Sequence, residues 1–344
     1  MPPAPRVRAG EKTIEEFCTS IDRRLWALIT GSAPVVIGSH VRIDGDGLGA
    51  SLALMHGLRD AGVECCAFID SPVPTALGFL PGVRDLLPSP DALPERFGLV
   101  VLDCGSLARA GRLAEHAGRA TKIFNIDHHA TNDQFGDVNY VDPTASSSAE
   151  IVFRLLQAGG VALTPQIAEN LYAGIVTDTG RFSYANTTAA SLKMCGRLVE
   201  AGCRPQDLID RVYLSPPQAV VRLQGLVIDT LRLEEEGRIA TMEISREMFR
   251  RTGSSAVDTQ GFAELPIGIR GVVLSALLKE MVERPGWVKV SLRGRASEDG
   301  IDVARAAESL GGGGHRYAAG CEVKGPLEEA RGTVLQALRR CLKT

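Results

Sequence analysis

No stretch of this 344-residue sequence approaches the roughly 18 consecutive apolar residues of a membrane-spanning helix, and its first ten residues, MPPAPRVRAG, carry no apolar signal core. A cytoplasmic address without membrane attachment is therefore expected. Eight cysteines are scattered, with Cys65 beside Cys66 and no C-x-x-C pair, which argues against a zinc ribbon and against a disulfide framework. Reduced, structural thiols are expected instead. A basic surplus is also missing: 38 Lys and Arg face 41 Asp and Glu, a net charge of -3. That excludes a broad electrostatic grip on long duplex, although a short anion needs only a local positive site. Aromatic residues make up 5%, so platforms on which bases could stack are few. There is no internal repeat, and the one low-complexity tract is the run Gly311 to Gly314.

What is present is an ordinary globular composition, 44% hydrophobic and 23% charged, in a chain long enough for two cores. Apolar runs at 34–38, 63–69, 99–103 and 122–126 read as strands, with helices over 47–62, 149–158, 165–177 and 188–201. The alternation predicts an α/β fold in which a parallel sheet is flanked by crossover helices. Ser147-x-x-Glu150 predicts a capping box at one helix start. Pro205, Pro216 and Pro217 mark a polar passage. The expected layout is a parallel-sheet domain over 1–203, a linker or hinge helix over 204–230, and a smaller mixed-sheet α/β domain over 231–344. In that last part 238–244, 271–281 and 287–292 read as strands, and 301–310 and 326–342 as helices.

In open parallel sheets, ligands bind beyond the carboxyl ends of the strands, so residues far apart in sequence converge there. Four segments place chemistry at such ends: His40 with Asp44 and Asp46, Asp103, the run Asp127-His128-His129, and Asp178 after a helix. Any one of them has a plain structural reading, because Asp-Gly pairs form turns, strand-end aspartates cap helices, and adjacent histidines on a strand point to opposite faces. Their coincidence is what argues for a metal. Asp44, Asp46, Asp103 and Asp178 with two of these histidines exceed the needs of one ion, whereas two divalent cations can share a bridging carboxylate. Two such cations would balance the four carboxylates. Mixed nitrogen and oxygen donors suit Mn2+, with zinc, iron or cobalt as substitutes and magnesium less favoured.

With these residues assembled, the chain resembles the DHH superfamily of phosphoesterases. His40-x-x-x-Asp44-x-Asp46 looks like that family's first motif, Asp103 its second, Asp127-His128-His129 its third, and Asp178-Thr179-Gly180 its fourth. Gly311 to His315 with Ala318-Ala319-Gly320 is similar to the glycine-rich signature of the associated C-terminal domain. Ile43 stands where a proline is common, and Gly47 and Ala50 replace a common alanine and serine; no ligand position departs. The resemblance implies that His40, Asp44 and Asp103 hold one cation and that Asp46, Asp103, His128 and Asp178 hold the other. It leaves His129 beside the scissile phosphate, as charge stabiliser or acid, and Asp127 orienting a histidine.

Gly312, Gly313, Gly314 and His315 would form a loop whose amides bind phosphate, and Arg293, at a strand end, could clamp a phosphate bidentately. Tyr317 is assigned no role. A site divided in this way would close about the hinge. The implied activity is hydrolysis of short single-stranded oligoribonucleotides, of adenosine 3',5'-bisphosphate, or of both. Alternatives are a phosphodiesterase for cyclic dinucleotides or for linear pGpG and pApA, or a nucleotide-binding module without turnover. The family often dimerises, so a homodimer is a further expectation.

Overall fold

The computed structural model describes residues 19–214, 216–259, 261–295 and 301–342. The amino-terminal decapeptide and Ser215 of the expected hinge lie outside them. The chain divides into two compact units, Met1–Ser215 and Pro216–Thr344. Each has its own core. No helix among the described residues is long and apolar enough to cross a membrane, and every described cysteine is a free thiol.

The first unit runs α1 (Ser20–Thr30), β1 (Val35–Gly38), α2 (Gly45–Asp60), β2 (Cys65–Ala67), β3 (Phe97–Leu102), α3 (Arg112–Glu115), β4 (Ala120–Asp127), β5 (Val138–Val141), α4 (Ser148–Ala158), α5 (Pro165–Asp178), α6 (Ala189–Glu200) and α7 (Pro205–Tyr213). Its five strands pair in parallel in the order β2-β1-β3-β4-β5. The pleat sends Val35 and Ile37 into a core shared with α2, α4 and α5, while Val36 joins Leu99, Val101, Phe68 and Leu113 on the other face. After β1 the chain crosses to β2 on one side, and after β3 it crosses to β4 on the other. A crevice is left between the carboxyl ends of β1 and β3.

Helix α2 is buried except at His56, Arg59 and Asp60. It is therefore a central helix rather than a surface one. Close packing depends on glycine: a Cβ on Gly49 would lie 2.3 Å from the Asn170 carbonyl oxygen, and one on Gly174 would lie 2.5 Å from the Ala149 Cβ. Backbone contact of α2 with α5, and of α5 with α4, draws the ends of the three helices together. Strand β5 was not foreseen, because its four half-exposed residues form no apolar run and it pairs only with β4.

The second unit runs α8 (Gln218–Ile228), β6 (Arg232–Glu234), β7 (Ile239–Ile244), α9 (Arg246–Thr252), α10 (Glu264–Ile267), β8 (Leu274–Glu280), β9 (Trp287–Gly294), α11 (Val303–Glu308), β10 (Gly313–His315), β11 (Ala318–Lys324) and α12 (Leu327–Cys341). Its mixed sheet has the order β10-β11-β9-β8-β7-β6, with only β7 and β8 parallel. Residues of the expected linker, 204–230, are shared out rather than forming one bridging helix. Leu208 of α7 joins the first unit's core, and Val220, Leu223 and Val227 of α8 join an apolar cluster of the second unit. Each helix has an apolar stripe to bury, and each buries it locally.

Candidate metal centre

His40, Asp44 and Asp46 lie just beyond β1, Asp103 directly follows β3, and Asp127 is the last residue of β4. Asp44 caps α2, its Oδ1 accepting from the amides of Asp46 and Gly47 at 3.1 Å each. The capping reading and the ligand reading of Asp44 are thus compatible: one oxygen starts the helix, and the side chain is still 47% exposed. Gly47 is required there. A Cβ would come within 2.5 Å of Ser39 Oγ and 3.3 Å of Asp103 Oδ2.

Asp103 stands at the centre. Its backbone is left-handed, φ 54°, a conformation that aspartate and asparagine tolerate better than most side chains and that collects at functional sites. Its Oδ2 faces His40 Nε2 at 3.4 Å, and its Oδ1 faces His128 Nε2 at 3.6 Å. Asp44 Oδ1 lies 3.8 Å from the same His40 nitrogen, and Asp46 Oδ2 and Asp178 Oδ2 lie 4.0 and 3.6 Å from His128 Nε2. Two donor sets result, His40–Asp44–Asp103 and Asp46–His128–Asp178, the ligand atoms of each lying within 4.8 Å of one another. A third grouping, Asp103–Asp127–His128–His129, meets the same distance, but hydrogen bonds already hold Asp127. Its Oδ1 accepts from His129 Nδ1 at 2.7 Å and from the His128 amide at 2.8 Å, and its Oδ2 accepts from Asn132 Nδ2 at 2.6 Å.

The two adjacent histidines do not diverge as strand neighbours would. β4 ends at Asp127, so both rings turn toward Asp103 and meet edge to face with centroids 4.6 Å apart. Their nitrogens differ in commitment. His40 donates from Nδ1 to the Val41 carbonyl at 2.8 Å and so directs Nε2 at the carboxylates, whereas His129 donates from Nδ1 to the Asp127 carboxylate. His128 Nε2 is buried with no hydrogen-bond partner while facing three carboxylates. A buried nitrogen left so is costly unless something else binds it.

The charges agree. Burial, with Asp103 next in weight, pushes both Asp46 and Asp178 well above the usual carboxylate range. Burial would also raise Asp103, but His40, His129 and His128 outweigh it and hold that group below its ordinary value. For His129, burial opposes the charged form; the Asp127 hydrogen bond and the Asp103 carboxylate overcome it and lift the ring to about 9. Carboxylates driven to hold protons beside an orphaned imidazole are what divalent cations would relieve. The donor set, nitrogen and oxygen without sulfur, fits Mn2+.

Residues that carried no motif support the ligands. The Asp46 carboxylate sits on the first turn of α4, accepting from the Ser148 amide at 2.6 Å and the Ala149 amide at 2.8 Å. Ser148 Oγ also donates to Asp103 Oδ1 at 3.2 Å. Asn186 Nδ2 donates to the Asp178 carbonyl and carboxylate at 3.1 and 3.2 Å. The capping pattern Ser147-x-x-Glu150 did mark this helix start, yet it closes only half as expected. Ser147 Oγ accepts from the Glu150 amide, while the Glu150 carboxylate takes the amide and hydroxyl of Ser146 instead. Helix starts bind anions; only the fold reveals that the anion here is Asp46. Replacing Ser148 with Ala should weaken Mn2+ binding roughly 10-fold, the usual effect of losing a ligand's supporting hydrogen bond. Calorimetric titration of the two proteins checks this, and equal affinities would mean that the hydroxyl supports nothing.

The second unit departs more from expectation. The glycine run is not an open loop: Gly311 (φ 77°) follows the end of α11, and Gly313–His315 is the edge strand β10, with Gly314 opposite Ala319. Gly312 and Gly314 are demanded by packing, since a Cβ would lie 2.1 Å from the Gly320 oxygen and 2.6 Å from the Ala319 Cα, whereas Gly313 meets nothing within 4 Å. Gly313, Gly314 and His315 are exposed. Any anion would therefore meet a sheet edge rather than a nest. Arg293 is paired, its Nε donating to Glu264 Oε1 at 2.9 Å, and Nη1 donates to the Leu292 carbonyl. A clamp on phosphate would have to draw it from Glu264.

A family model described as the DHH family, N-terminal domain, matches residues 34–175, and one described as the DHHA1 domain matches residues 240–344. The bifunctional oligoribonuclease and PAP phosphatase NrnA of Thermus thermophilus is 34% identical over 307 residues, covering 89% of either chain. The protein of the same name from Bacillus subtilis is 30% identical, covering 84% of this chain and 89% of its own. Among solved structures, an exopolyphosphatase-related protein from Bacteroides fragilis superposes with a TM-score of 0.84 at 26% identity, covering 94% of this chain and 96% of that one.

Proposed function

This chain belongs to the DHH family, and on that premise we propose that it hydrolyses short single-stranded oligoribonucleotides and adenosine 3',5'-bisphosphate with the help of two divalent cations, Mn2+ by preference. The observation that carries this reading is the Asp103 carboxylate, whose two oxygens face two different histidines, each with its own set of aspartates. His40 and Asp44 would hold one cation, Asp46, His128 and Asp178 the other, and Asp103 both. Bound there, the pair would lower the pKa of water toward neutrality and offset charge on the phosphoryl oxygens.

The remaining work falls to the chain's own groups. His129, kept charged by Asp127, stands 3.6 Å from the Asp103 oxygen that faces His128, and would donate a hydrogen bond to a phosphoryl or leaving oxygen. Asp127 holds that ring in one tautomer. The charge balance supports a short substrate: a net -3 offers long nucleic acid little overall attraction, while a dinucleotide needs only the local centre. The relatives' names, oligoribonuclease and PAP phosphatase, support this choice of substrates.

The test is the purified protein with and without Mn2+, offered two- to five-residue RNA, adenosine 3',5'-bisphosphate, pGpG and cyclic di-AMP, with products resolved by size. Metal-dependent release of mononucleotides from short RNA and of phosphate from the bisphosphate is expected. Turnover confined to the cyclic dinucleotide, or none at all, would sink the assignment.

A further inference from the structure

Directly after Asp178 and Thr179 the backbone does something costly. Gly180, Arg181 and Phe182 all adopt left-handed conformations, with φ of 56°, 61° and 64°. A bulky aromatic residue seldom adopts one, and a run of three persists only where the surroundings over-determine it. They do so here. Buried Thr179 anchors the turn: its hydroxyl donates to the Ile175 carbonyl at 2.7 Å and accepts the Phe182 amide at 3.2 Å, and its carbonyl accepts the amides of Ser183 and Tyr184 at 3.0 Å. Phe182 packs edge to face on Tyr172 with ring centroids 6.5 Å apart. The far end of the turn returns to the metal cluster through the Asn186 amide on Asp178.

The product of this strain is the position of one ring. Tyr184 lies across Gly180 so closely that a Cβ there would meet its Cζ at 2.4 Å, and Tyr184 is still 44% exposed. Gly180 is two residues from Asp178, so their Cα atoms are at most about 7.6 Å apart, a separation that a single nucleotide spans from phosphate to base. The guanidinium of the neighbouring Arg181 lies 4.8 Å over the Tyr213 ring. In a chain with 5% aromatic residues, a part-exposed tyrosine packed on Gly180, two residues from a candidate metal ligand, has the chemistry of a base-stacking surface.

We propose that the turn Gly180 to Asn186 is a nucleobase platform, on which Tyr184 stacks the base of the nucleotide whose phosphate is being cleaved. The idea rests on the phosphoesterase reading above and adds to it a specificity residue. Tyr184→Ala and Tyr184→Phe are compared with the wild type on a diribonucleotide and on its abasic analogue, with Mn2+ content measured for each. Loss of a stacking aromatic should raise KM for the diribonucleotide about 10-fold. The preference for the base-bearing substrate should collapse by the same factor, and Tyr184→Phe should restore it.

A Tyr184→Ala preference within twofold of wild type, or an equal rise in KM for the abasic analogue, overturns the platform. A wild type that hydrolyses neither substrate defeats the phosphoesterase reading instead. In that case, equilibrium binding of the diribonucleotide still decides: about 10-fold weaker binding by Tyr184→Ala supports the platform, while equal affinities or no binding by the wild type overturn it.

Discussion

Asp103→Asn should lower kcat/KM by about 1,000-fold or more, equivalent to roughly 4 kcal/mol of transition-state stabilisation, while the protein remains folded. The size follows from position. Among the described residues Asp103 is the one carboxylate whose two oxygens face the histidines of both donor sets, Oδ2 toward His40 at 3.4 Å and Oδ1 toward His128 at 3.6 Å, so losing its charge weakens both proposed cations. The amide is the right replacement because the residue's φ is 54°, a region that asparagine tolerates and alanine enters only with strain. Melting temperature and metal content are measured with the rate. A folded Asp103→Asn protein with near-native turnover would end the shared-carboxylate account, whereas an unfolded one would show that the Asp103 charge is needed to balance the histidines around it.

The second large effect separates the two adjacent histidines. His128→Ala should lose one of two bound cations and most activity, because its unpartnered Nε2 faces Asp46, Asp103 and Asp178. His129→Ala should keep both cations and lower turnover by about 100-fold or more, the range expected for a lost acid or hydrogen-bond donor. Elemental analysis alongside steady-state rates distinguishes them. If His129→Ala loses a metal and His128→Ala does not, the two roles are exchanged, and the hydrogen bond from His129 to Asp127 is then not what governs that ring.

β1 and β3 were legible because each is buried on both faces and so reads as an unbroken apolar run, Val35–Gly38 and Phe97–Leu102. β5, β6 and β10 were not, being short and partly or fully exposed, with no run to detect. The glycine tract reads as a loop yet ends in an edge strand for a physical reason. Glycine serves equally where an anion approaches and where another strand does, and Gly312 and Gly314 are consumed by the second use, against Gly320 and Ala319. Arg293 lies one residue inside the end of its strand, and its partner Glu264 lies 29 residues away, a pair that no local pattern announces.

The candidate ligands were legible in the sequence: carboxylates and imidazoles at the ends of apolar runs gather beyond the carboxyl ends of a parallel sheet, where ligands bind. Which atom faces which was not. That His128 offers a bare nitrogen to Asp46, Asp103 and Asp178, that Asp46 rests on the amides of α4, and that Tyr184 is pinned across Gly180 follow from contacts among residues remote in sequence or from backbone strain. Such contacts form only when α2, α4 and α5 close on one another at Gly49 and Gly174, and periodicity along a chain does not encode how close two helices will come.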